Sequence, residues 1–381
     1  RMVYFSKIMK ILVADIFQSK AQTLINTVNC VGVMGKGIAL EFKAKFPEMF
    51  DDYLARCERK EVHLGEPFIY QSLFQPQVIN FPTKEHWKSL SRIEDIETGL
   101  QYLLAHYKKW GVTSLAIPPL GCGNGQLEWR MVGPLIYKYA KQMDIPVEIY
   151  APYGVNPKEI TVEFLEGRAQ VDSRQLATAE LPNLDPAWVV LVEIINRIEQ
   201  HPYHWPIGRT IFQKIAYVAT SEGLPTLLNY QRGSYGPFSY ELKGVEAKLI
   251  NSNLLQEQHA GSMFMVKVGP NFSRIRKNFE AHISKWSAVI DKTVDLFMRV
   301  NTDQAEIIAT VLFATKELTT RKGVPSELDV LEAVMEWKQK RRPPLERDEV
   351  SSTIRHLAIL RWIEVKPVSS LSIPEEDFVF A

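Results

Sequence analysis

The sequence predicts an α/β domain followed by a helix-rich region, and three features of its 381 residues support this fold class. In the first half, short β-branched runs alternate with longer amphipathic stretches, which is typical of strands joined by crossover helices into a mixed, mostly parallel sheet. From Gly154 to Asp185 the apolar periodicity fades into Pro, Asn and Ser, which indicates a linker. Beyond it, helical periodicity dominates the chain.

Individual elements follow from the same patterns. The strand candidates are Ile11 to Ala14, Leu24 to Asn26, Phe68 to Ser72, Val78 to Phe81, Ser114 to Ile117 and Val147 to Tyr150. The helices predicted from apolar residues at helical spacing are Gly37 to Phe46, Ile93 to Trp110, Pro186 to Gln200 and Gly208 to Ala219.

The end of the chain is predicted to form a helix, a helix and a strand, at Glu327 to Lys338, Arg347 to Leu360 and Trp362 to Val365. This order occurs in winged helix-turn-helix units, although helix pairs followed by a strand are common elsewhere. We therefore expect a domain over 9–153, a linker over 154–185, a domain over 186–270 and a helical, winged-helix-like subdomain over 271–381.

Composition excludes several classes of protein. The chain has 45 basic and 44 acidic residues, whereas a general nucleic-acid binder usually carries a large basic excess. Cys30, Cys57 and Cys122 lack the close spacing of a zinc or redox motif, so we expect no metal site and no bound cofactor. No apolar stretch approaches the ~20 residues that span a bilayer. A cytoplasmic protein without a membrane partner is expected.

Two glycine-rich loops follow predicted strands. The first is Gly32-Val33-Met34-Gly35-Lys36-Gly37, and the second is Gly121-Cys122-Gly123-Asn124-Gly125, which follows Pro118-Pro119-Leu120. Glycines let backbone N–H groups approach an anion, and a helix N-terminus adds partial positive charge. Two such loops at one sheet edge could hold a diphosphate, although each alone could be a tight turn. Neither loop fits a dinucleotide or Walker motif.

The motifs resemble, in order, the signature of macrodomains, which bind ADP-ribose. The resemblance implies that Asp15 binds the adenine amino group near the Ile16 backbone, and that Asn29 contacts the distal ribose. Asp15 could instead cap a helix, and Asn26 could stabilise a turn. The ligand-binding residues implied are Asp15, Ile16, Asn26, Asn29, Gly32, Val33, Met34, Gly35, Lys36, Gly37, Thr83, Pro119, Leu120, Gly121, Cys122, Gly123, Asn124 and Gly125.

Within the macrodomains, the sequence resembles most the branch of the human terminal ADP-ribose glycohydrolase and the DarG antitoxins, which reverse DNA ADP-ribosylation. The residues that carry this resemblance are Phe81-Pro82-Thr83-Lys84, His86-Trp87, the second glycine loop and Leu127-Glu128-Trp129. It implies that Lys84 is catalytic, either as an amine that forms a Schiff base or as an ammonium that stabilises charge. From the residues alone, a lysine at this position is more often a surface or phosphate-binding charge.

The sequence departs from the human member at one catalytic position. The resemblance aligns the aspartate of the human enzyme with Gly125, so the acid expected to resolve a covalent intermediate is missing. The Schiff-base route is therefore disfavoured for this chain. Asn124, His86 and Glu128 are candidate substitutes for the acid, and Glu128 also suits a helix N-terminus.

The second half also carries a resemblance. The segment Trp205 to Tyr217, followed by Arg232-Gly233-Ser234-Tyr235-Gly236-Pro237-Phe238, is similar to the C-terminal region of DarG antitoxins. This similarity implies that the region binds and blocks a DarT-type ADP-ribosyltransferase toxin. Taken alone, the same segment is equally consistent with a proline-containing turn packed by aromatic side chains.

The sequence as a whole predicts an antitoxin. We expect it to hydrolyse the N-glycosidic bond of ADP-ribosylated thymidine in single-stranded DNA, to release ADP-ribose, and to neutralise its cognate DarT toxin. Two alternatives stay open: a non-catalytic ADP-ribose reader, which Gly125 favours, and a ligand-responsive transcriptional regulator, which the winged-helix-like end favours. ADP-ribose binding without turnover would indicate the reader, and sequence-specific duplex binding would indicate the regulator.

Overall fold

The structure, a computed structural model, describes residues 4–5, 9–74, 76–169, 183–261, 263–369 and 371. The chain divides into two compact units, Arg1–Asn183 and Leu184–Ala381. The boundary between them falls inside the segment expected to be a linker, of which residues 170–182 lie outside the described part of the chain.

The first unit is a seven-stranded sheet flanked by helices. Its strands are β1 (Tyr4–Phe5), β2 (Met9–Leu12), β3 (Thr23–Asn29), β4 (Phe68–Tyr70), β5 (Gln77–Lys84), β6 (Leu115–Ile117) and β7 (Val147–Tyr150). Its helices are α1 (Gly37–Lys45), α2 (Pro47–Glu58), α3 (Ile93–His106), α4 (Trp129–Ala140) and α5 (Val162–Ala169). The strand order is β1-β2-β7-β6-β3-β5-β4. Because the five inner strands are parallel and both edge strands are antiparallel, the mixed, mostly parallel sheet is confirmed.

The sheet is buried on both faces, as a parallel sheet with crossover helices requires. Leu115 and Ile117 of β6 join the apolar cluster that contains α3 and α4 side chains, whereas Ala116 joins the cluster that contains α1 and α2 side chains. This alternation is the two-residue period of a strand. The inner strands are therefore fixed in register, and their carboxyl ends form one edge.

The sequence patterns missed some boundaries and elements. α3 ends at His106 and does not continue to Trp110. Apart from the helix N-terminus that Glu128 suggested, the patterns did not predict α4, whose interior holds Gly133 and Pro134, residues that usually interrupt a helix. The expected linker begins too early, because Leu165 of α5 is fully buried in the core of the first unit.

The second unit is mainly helical. Its helices are α6 (Pro186–Glu199), α7 (Arg209–Ser221), α8 (Leu242–Asn251), α9 (Phe272–Arg276), α10 (Glu280–Lys285), α11 (Ser287–Phe297), α12 (Thr302–Lys322), α13 (Glu327–Trp337) and α14 (Arg347–Ile359). Two hairpins accompany them, β8 (Gln231–Gly233) with β9 (Gly236–Phe238), and β10 (Leu255–Ala260) with β11 (Met263–Val268). The helix-rich second half is confirmed, and 184–381 is a single compact unit in which the two segments expected over 186–270 and 271–381 fold together.

The expected winged-helix end is only partly formed. α13 and α14 match the two predicted helices, but Trp362–Val365 is not a strand. A single bridge instead pairs Lys366 with Ser326, and the Ser326 hydroxyl and backbone both belong to the capping box that starts α13. The prediction of a terminal strand is therefore wrong. Among the described residues, no helix combines the length and hydropathy needed to cross a bilayer.

Candidate functional site

Three neighbouring strands bring the predicted site together at one edge of the sheet. β6, β3 and β5 are adjacent, and they end at the second glycine loop, the first glycine loop and Lys84 respectively. Asn29, the last residue of β3, pairs in register with Lys84, the last residue of β5. The edge lies at the carboxyl ends of parallel strands, where open α/β sheets bind their ligands.

The two glycine loops lie close to each other. An ideal Cβ placed on Gly37 would lie 3.5 Å from the Nδ2 atom of Asn124. Gly37 has a φ of 59°, which favours glycine, and it begins α1. Lys36 precedes that helix without capping it through its side chain, so the N–H groups of the first turn point outward with the positive end of the helix dipole. An anion held between the loops would meet backbone donors from both.

Asn29 shapes the first loop. Its Nδ2 donates to the carbonyl oxygen of Val33 at 2.6 Å, and its Oδ1 accepts from the N–H of Val31 at 3.0 Å. The hydroxyl of Tyr53 in turn donates to the carbonyl oxygen of Asn29 at 2.8 Å. Burial raises the pKa of Tyr53, so the hydroxyl stays protonated and keeps donating. Asn29 thus holds the loop in its curved form, which presents the exposed residues that follow.

The second loop is shaped by the lack of space for side chains. An ideal Cβ on Gly125 would lie 2.1 Å from the Oγ of Ser91 and 2.6 Å from the carbonyl oxygen of Gly121. The N–H of Ser91 donates to the carbonyl oxygen of Gly125 at 3.0 Å, which holds these residues together. A carboxylate side chain therefore does not fit at position 125 in this backbone. The acid that the family resemblance led us to seek there is excluded by packing.

Lys84 lies half-buried at the end of β5, next to the first loop. Its Nζ donates to the carbonyl oxygen of Trp87 at 2.9 Å, across a turn of three residues. The N–H of Cys30 donates to the carbonyl oxygen of Glu85 at 3.0 Å, which ties this turn to the start of the first loop. Lys84 therefore lies on the strand next to Asn29, and its amine is held by a turn that is hydrogen-bonded to the start of the first loop.

Asp15 lies at the other end of the same edge. It follows β2, which is separated from β5 by four strand spacings, about 19 Å. Its carboxylate is exposed and accepts from the N–H of Phe17 at 3.0 Å, so it also caps a short 3₁₀ turn, as the structural alternative expected. An elongated ligand lying along the edge could reach from Asp15 across the loops to Lys84.

The other predicted substitutes for the missing acid are placed differently. Asn124 is exposed at the tip of the second loop and faces Gly37. The Nδ1 of His86 accepts from the N–H of Lys88 at 3.2 Å, so the neutral ring carries its proton on Nε2. Glu128 occupies the residue before α4, which is the helix-terminal position that the sequence analysis gave as its alternative.

The predicted ligand-binding residues differ in exposure. Exposed are Asp15, Val33, Gly35, Lys36, Gly37, Gly123 and Asn124; half-buried are Gly32, Pro119 and Cys122; buried are Ile16, Asn26, Asn29, Met34, Thr83, Leu120, Gly121 and Gly125. Asn26 is fully buried inside β3, and its Nδ2 donates to the Oδ1 of Asn80 at 3.0 Å. Asn26 is therefore positioned to support the strand, and its contact with a ligand stays a prediction. Its Nδ2 also lies 3.9 Å from the Met34 sulfur, so Asn26 contacts the first loop on its buried side.

Sequence reasoning missed three residues that build the site. Tyr53 lies on α2, Asn80 on β5, and Ser91 just before α3, far along the chain from the loops they support. None belongs to a local motif, because each acts through a contact that only the folded chain creates. A polar residue inside an apolar strand, such as Asn80, was the one available signal.

Comparison with known proteins places the chain within a family. The Macro domain model matches residues 25–136. A DNA ADP-ribosyl glycohydrolase of Mycobacterium bovis is 30% identical over 353 residues, which cover 86% of this chain and 92% of the relative. A DNA ADP-ribosyl glycohydrolase of Thermus aquaticus is 36% identical over 239 residues, and the match spans 62% of each protein, less than two thirds of that relative.

A third relative joins two named activities in one chain. The DNA ADP-ribosyl transferase-DNA ADP-ribosyl glycohydrolase fusion protein of Thermosipho africanus is 41% identical over 170 residues, covering 40% of this chain and 44% of the relative. The Mycobacterium match extends well beyond the first unit, since that unit holds 183 of the 381 residues. Both units of this chain therefore resemble named relatives.

Proposed function

Since this chain belongs to the DNA ADP-ribosyl glycohydrolase family, we propose that it hydrolyses the N-glycosidic bond between ADP-ribose and thymidine in single-stranded DNA. The observation that carries the proposal is the position of Lys84 at the carboxyl edge of the sheet, where two glycine loops approach each other closely. The loops supply backbone donors for a diphosphate, and Lys84 supplies a cation where the distal ribose would lie. We propose that Lys84 is the catalytic residue.

The chemistry requires one bond to break and one to form. The bond from the anomeric carbon of the distal ribose to the thymine nitrogen breaks, and its electron pair stays on the base. Water supplies the oxygen that bonds to the anomeric carbon. One of its protons stays on the new hydroxyl group, and the other goes, directly or through solvent, to the nitrogen of the departing base. A positioned cation lowers the barrier because it stabilises the negative charge that develops on the departing base.

The packing at Gly125 favours this electrostatic role of Lys84 over a covalent one. A Schiff-base intermediate needs an acid or base to resolve it, and the second loop has no room for a side chain at the aligned position. The ammonium held by the Trp87 carbonyl oxygen needs no such partner to stabilise the leaving base. We therefore propose direct hydrolysis without a covalent adduct.

The activity can be tested on DNA that carries ADP-ribosyl-thymidine. The wild type is expected to release ADP-ribose and restore unmodified DNA, and Lys84→Ala is expected to be slower by at least ~100-fold, the usual effect of removing one charge-stabilising group. Calorimetry should show that the variant still binds ADP-ribose. A wild type that binds ADP-ribose but turns over neither DNA nor ADP-ribosylated protein would indicate the reader instead. A Lys84→Ala variant with full rate would exclude Lys84 as the catalyst.

We also propose that the second unit binds a DarT-type transferase toxin. The support is that the named glycohydrolase of Mycobacterium matches most of this chain, and that the Thermosipho relative carries a transferase in the same polypeptide. A toxin partner and its antidote activity would then act on the same DNA base, one adding ADP-ribose and the other removing it.

This second role can be separated from hydrolysis with the Lys84→Ala full chain. If the second unit blocks the toxin by binding, the variant should inhibit the transferase in vitro at stoichiometric concentration, although it cannot reverse the modification. Lack of inhibition by the variant, with protection by the wild type, would mean that hydrolysis alone neutralises the toxin.

A further inference from the structure

Trp87 is an exposed tryptophan immediately next to the proposed catalytic lysine. Its side chain is 45% exposed, whereas Trp129 of the same unit is 5% exposed and packs in the core. Its carbonyl oxygen accepts the hydrogen bond from Lys84 Nζ at 2.9 Å. The indole therefore belongs to the same short turn that holds the amine, and nearly half of it is exposed to solvent.

The indole is accompanied by cationic and aromatic neighbours. The Nζ of Lys88 lies 4.8 Å from the Trp87 ring centroid, and the His86 ring lies 5.5 Å away at an interplanar angle of 30°. Burying an indole normally stabilises a fold, so leaving nearly half of it in water gives the folded chain little. A large exposed aromatic next to a ligand site more often serves recognition.

An exposed aromatic ring paired with a cation fits single-stranded nucleic acid. Bases stack on aromatic side chains whatever their sequence, and lysine neutralises the phosphate that joins two nucleotides. A lone ADP-ribosyl nucleoside has no neighbouring base or linking phosphate, whereas a DNA strand has both. The indole of Trp87 and the ammonium of Lys88 are therefore better suited to bind a neighbouring nucleotide of the strand than the modified base itself.

We propose that Trp87 and Lys88 form a platform for the DNA strand that flanks the modified thymidine, with a neighbouring unmodified base stacked on the indole. This inference rests on the proposed function, because it assigns the substrate class of the same site. It makes Trp87 a positioning residue: it aligns the strand so that the glycosidic bond meets Lys84. It also explains how a chain with balanced charge recognises DNA locally.

Substrate length tests the platform. Trp87→Ala removes the indole but keeps the carbonyl oxygen that holds Lys84. We expect kcat/KM to fall roughly 5- to 100-fold on an ADP-ribosylated oligonucleotide, the effect of one lost stacking contact, with most of the change in KM. Turnover of the ADP-ribosyl-thymidine nucleoside should fall much less than turnover of the oligonucleotide, and Trp87→Phe should restore most of the oligonucleotide rate. Equal losses on both substrates would overturn the proposal, because the indole would then act on Lys84 or on the modified base.

A matched control lies before the amino-terminal end of β5, whereas Lys84 lies at its carboxyl end. Phe74 is 78% exposed just before β5, so Phe74→Ala removes an exposed aromatic side chain far from Lys84. This variant should turn over both substrates at the wild-type rate. Lys88→Gln should make the salt dependence of oligonucleotide binding less steep by about 0.7 in logarithmic slope, the value for one phosphate on a single strand. An unchanged slope would remove Lys88 from the platform.

Binding of an unmodified single-stranded oligonucleotide separates this proposal from the proposed function. Anisotropy should show weaker binding by Trp87→Ala than by the wild type or by Phe74→Ala, whether or not the protein hydrolyses any substrate. Equal binding by all three proteins would contradict the platform. If the wild type does not hydrolyse the modified DNA but Trp87→Ala still binds the oligonucleotide more weakly, only the proposed hydrolase activity is contradicted.

Discussion

Lys84 and Lys214 each donate a hydrogen bond to a backbone carbonyl oxygen, but Lys84 lies near the surface of the first unit and Lys214 lies inside the second. Lys84 Nζ donates to the Trp87 carbonyl oxygen at 2.9 Å in a half-buried turn at a sheet edge, and Lys214 Nζ donates to the Pro237 carbonyl oxygen at 2.8 Å in the interior of the second unit. Only 1% of the Lys214 side chain is exposed. The two lysines share the residue type and the kind of partner, so burial is what distinguishes the lysine that we propose for chemistry from the lysine inside the second unit.

The environment of Lys214 is a buried ionic cluster. Burial, and then the charge of Lys338, lower the pKa of Lys214 to about 7, while Glu306 opposes this shift. Glu306 is 1% exposed and accepts from Lys338 Nζ at 2.7 Å and from Arg341 Nε at 3.1 Å. Lys338 also donates to the carbonyl oxygen of Ser234 at 2.8 Å. The cluster therefore ties α7, α12 and α13 to one hairpin.

That hairpin contains the segment similar to antitoxin C-terminal regions. Trp337 Nε1 donates to the carbonyl oxygen of Gly233 at 3.2 Å, so three donors from the interior hold the turn between β8 and β9. Gly236 has a φ of 92°, and an ideal Cβ there would lie 2.9 Å from the Oγ1 of Thr310. The turn interpretation of this segment is confirmed, while its role toward a toxin stays a proposal.

Breaking the buried cluster should have the largest effect on stability. Glu306→Gln keeps the side-chain shape but leaves Lys338 and Arg341 without their buried anion. We expect the free energy of unfolding of the second unit to fall by about 3–5 kcal/mol, as for other broken buried pairs. Faster hydrogen exchange in peptides from α12 than in peptides from the first unit would show that the stability is lost in the second unit.

A control for that variant lies on the same helix. Glu317 pairs with Arg232 at 2.6 Å near the surface, so Glu317→Gln should cost less than about 1 kcal/mol. Equal losses in the two variants would mean that burial does not set the value of these pairs. The comparison between the two lysines would then fail.

Restoring the missing acid should destabilise the first unit. Gly125→Asp forces a Cβ against Ser91 and Gly121, and we expect a loss of about 1–3 kcal/mol, with no gain in turnover. Gly123→Asp is the matched control, since no atom lies within 4 Å of a Cβ at that position. It should leave the thermal midpoint nearly unchanged while weakening ADP-ribose binding by charge repulsion. A stable, faster Gly125→Asp protein would overturn the steric account.

The pH dependence of stability should show the buried state of Lys214. Its folded pKa of about 7 lies below the ordinary 10.5, so the unfolded chain binds more protons between these values. Stability from this group therefore rises as pH increases through that window, by roughly 1 kcal/mol per pH unit. Lys214→Met should show a weaker rise than the wild type between pH 7 and 9. Denaturant unfolding at these pH values measures both slopes, and parallel slopes would contradict the assignment.

Sequence patterns predicted the part of the fold that depends on local periodicity. β7 was predicted at its observed ends, and α1 and α6 each differ from the prediction by one residue at the C-terminus, because apolar spacing reports which face is buried. α4 was missed because Gly133 and Pro134 hide a helix that the core stabilises: nearly every side chain around it is buried. Tertiary packing there overrides local preference.

The candidate site, like the fold, has features that local sequence predicts and features that depend on contacts between distant segments. The glycine loops were predicted from their composition and their position after strands, whereas the role of Lys84 was implied only by the family resemblance and stays a prediction. The buried position of Asn26 could not be predicted, because its partner Asn80 lies 54 residues away on a neighbouring strand. Nor could the exclusion of an acid at Gly125, which depends on the Oγ of Ser91. Both depend on contacts between distant segments.

A crystal structure of Lys84→Arg or wild-type protein with ADP-ribose is the most direct measurement of the central claim. The account predicts that backbone N–H groups of both glycine loops contact the diphosphate, that the adenine lies at Asp15, and that in the wild type Lys84 Nζ lies about 3.5 Å from the anomeric carbon of the distal ribose. A diphosphate bound away from either loop, or an amine directed away from that ribose, would contradict it.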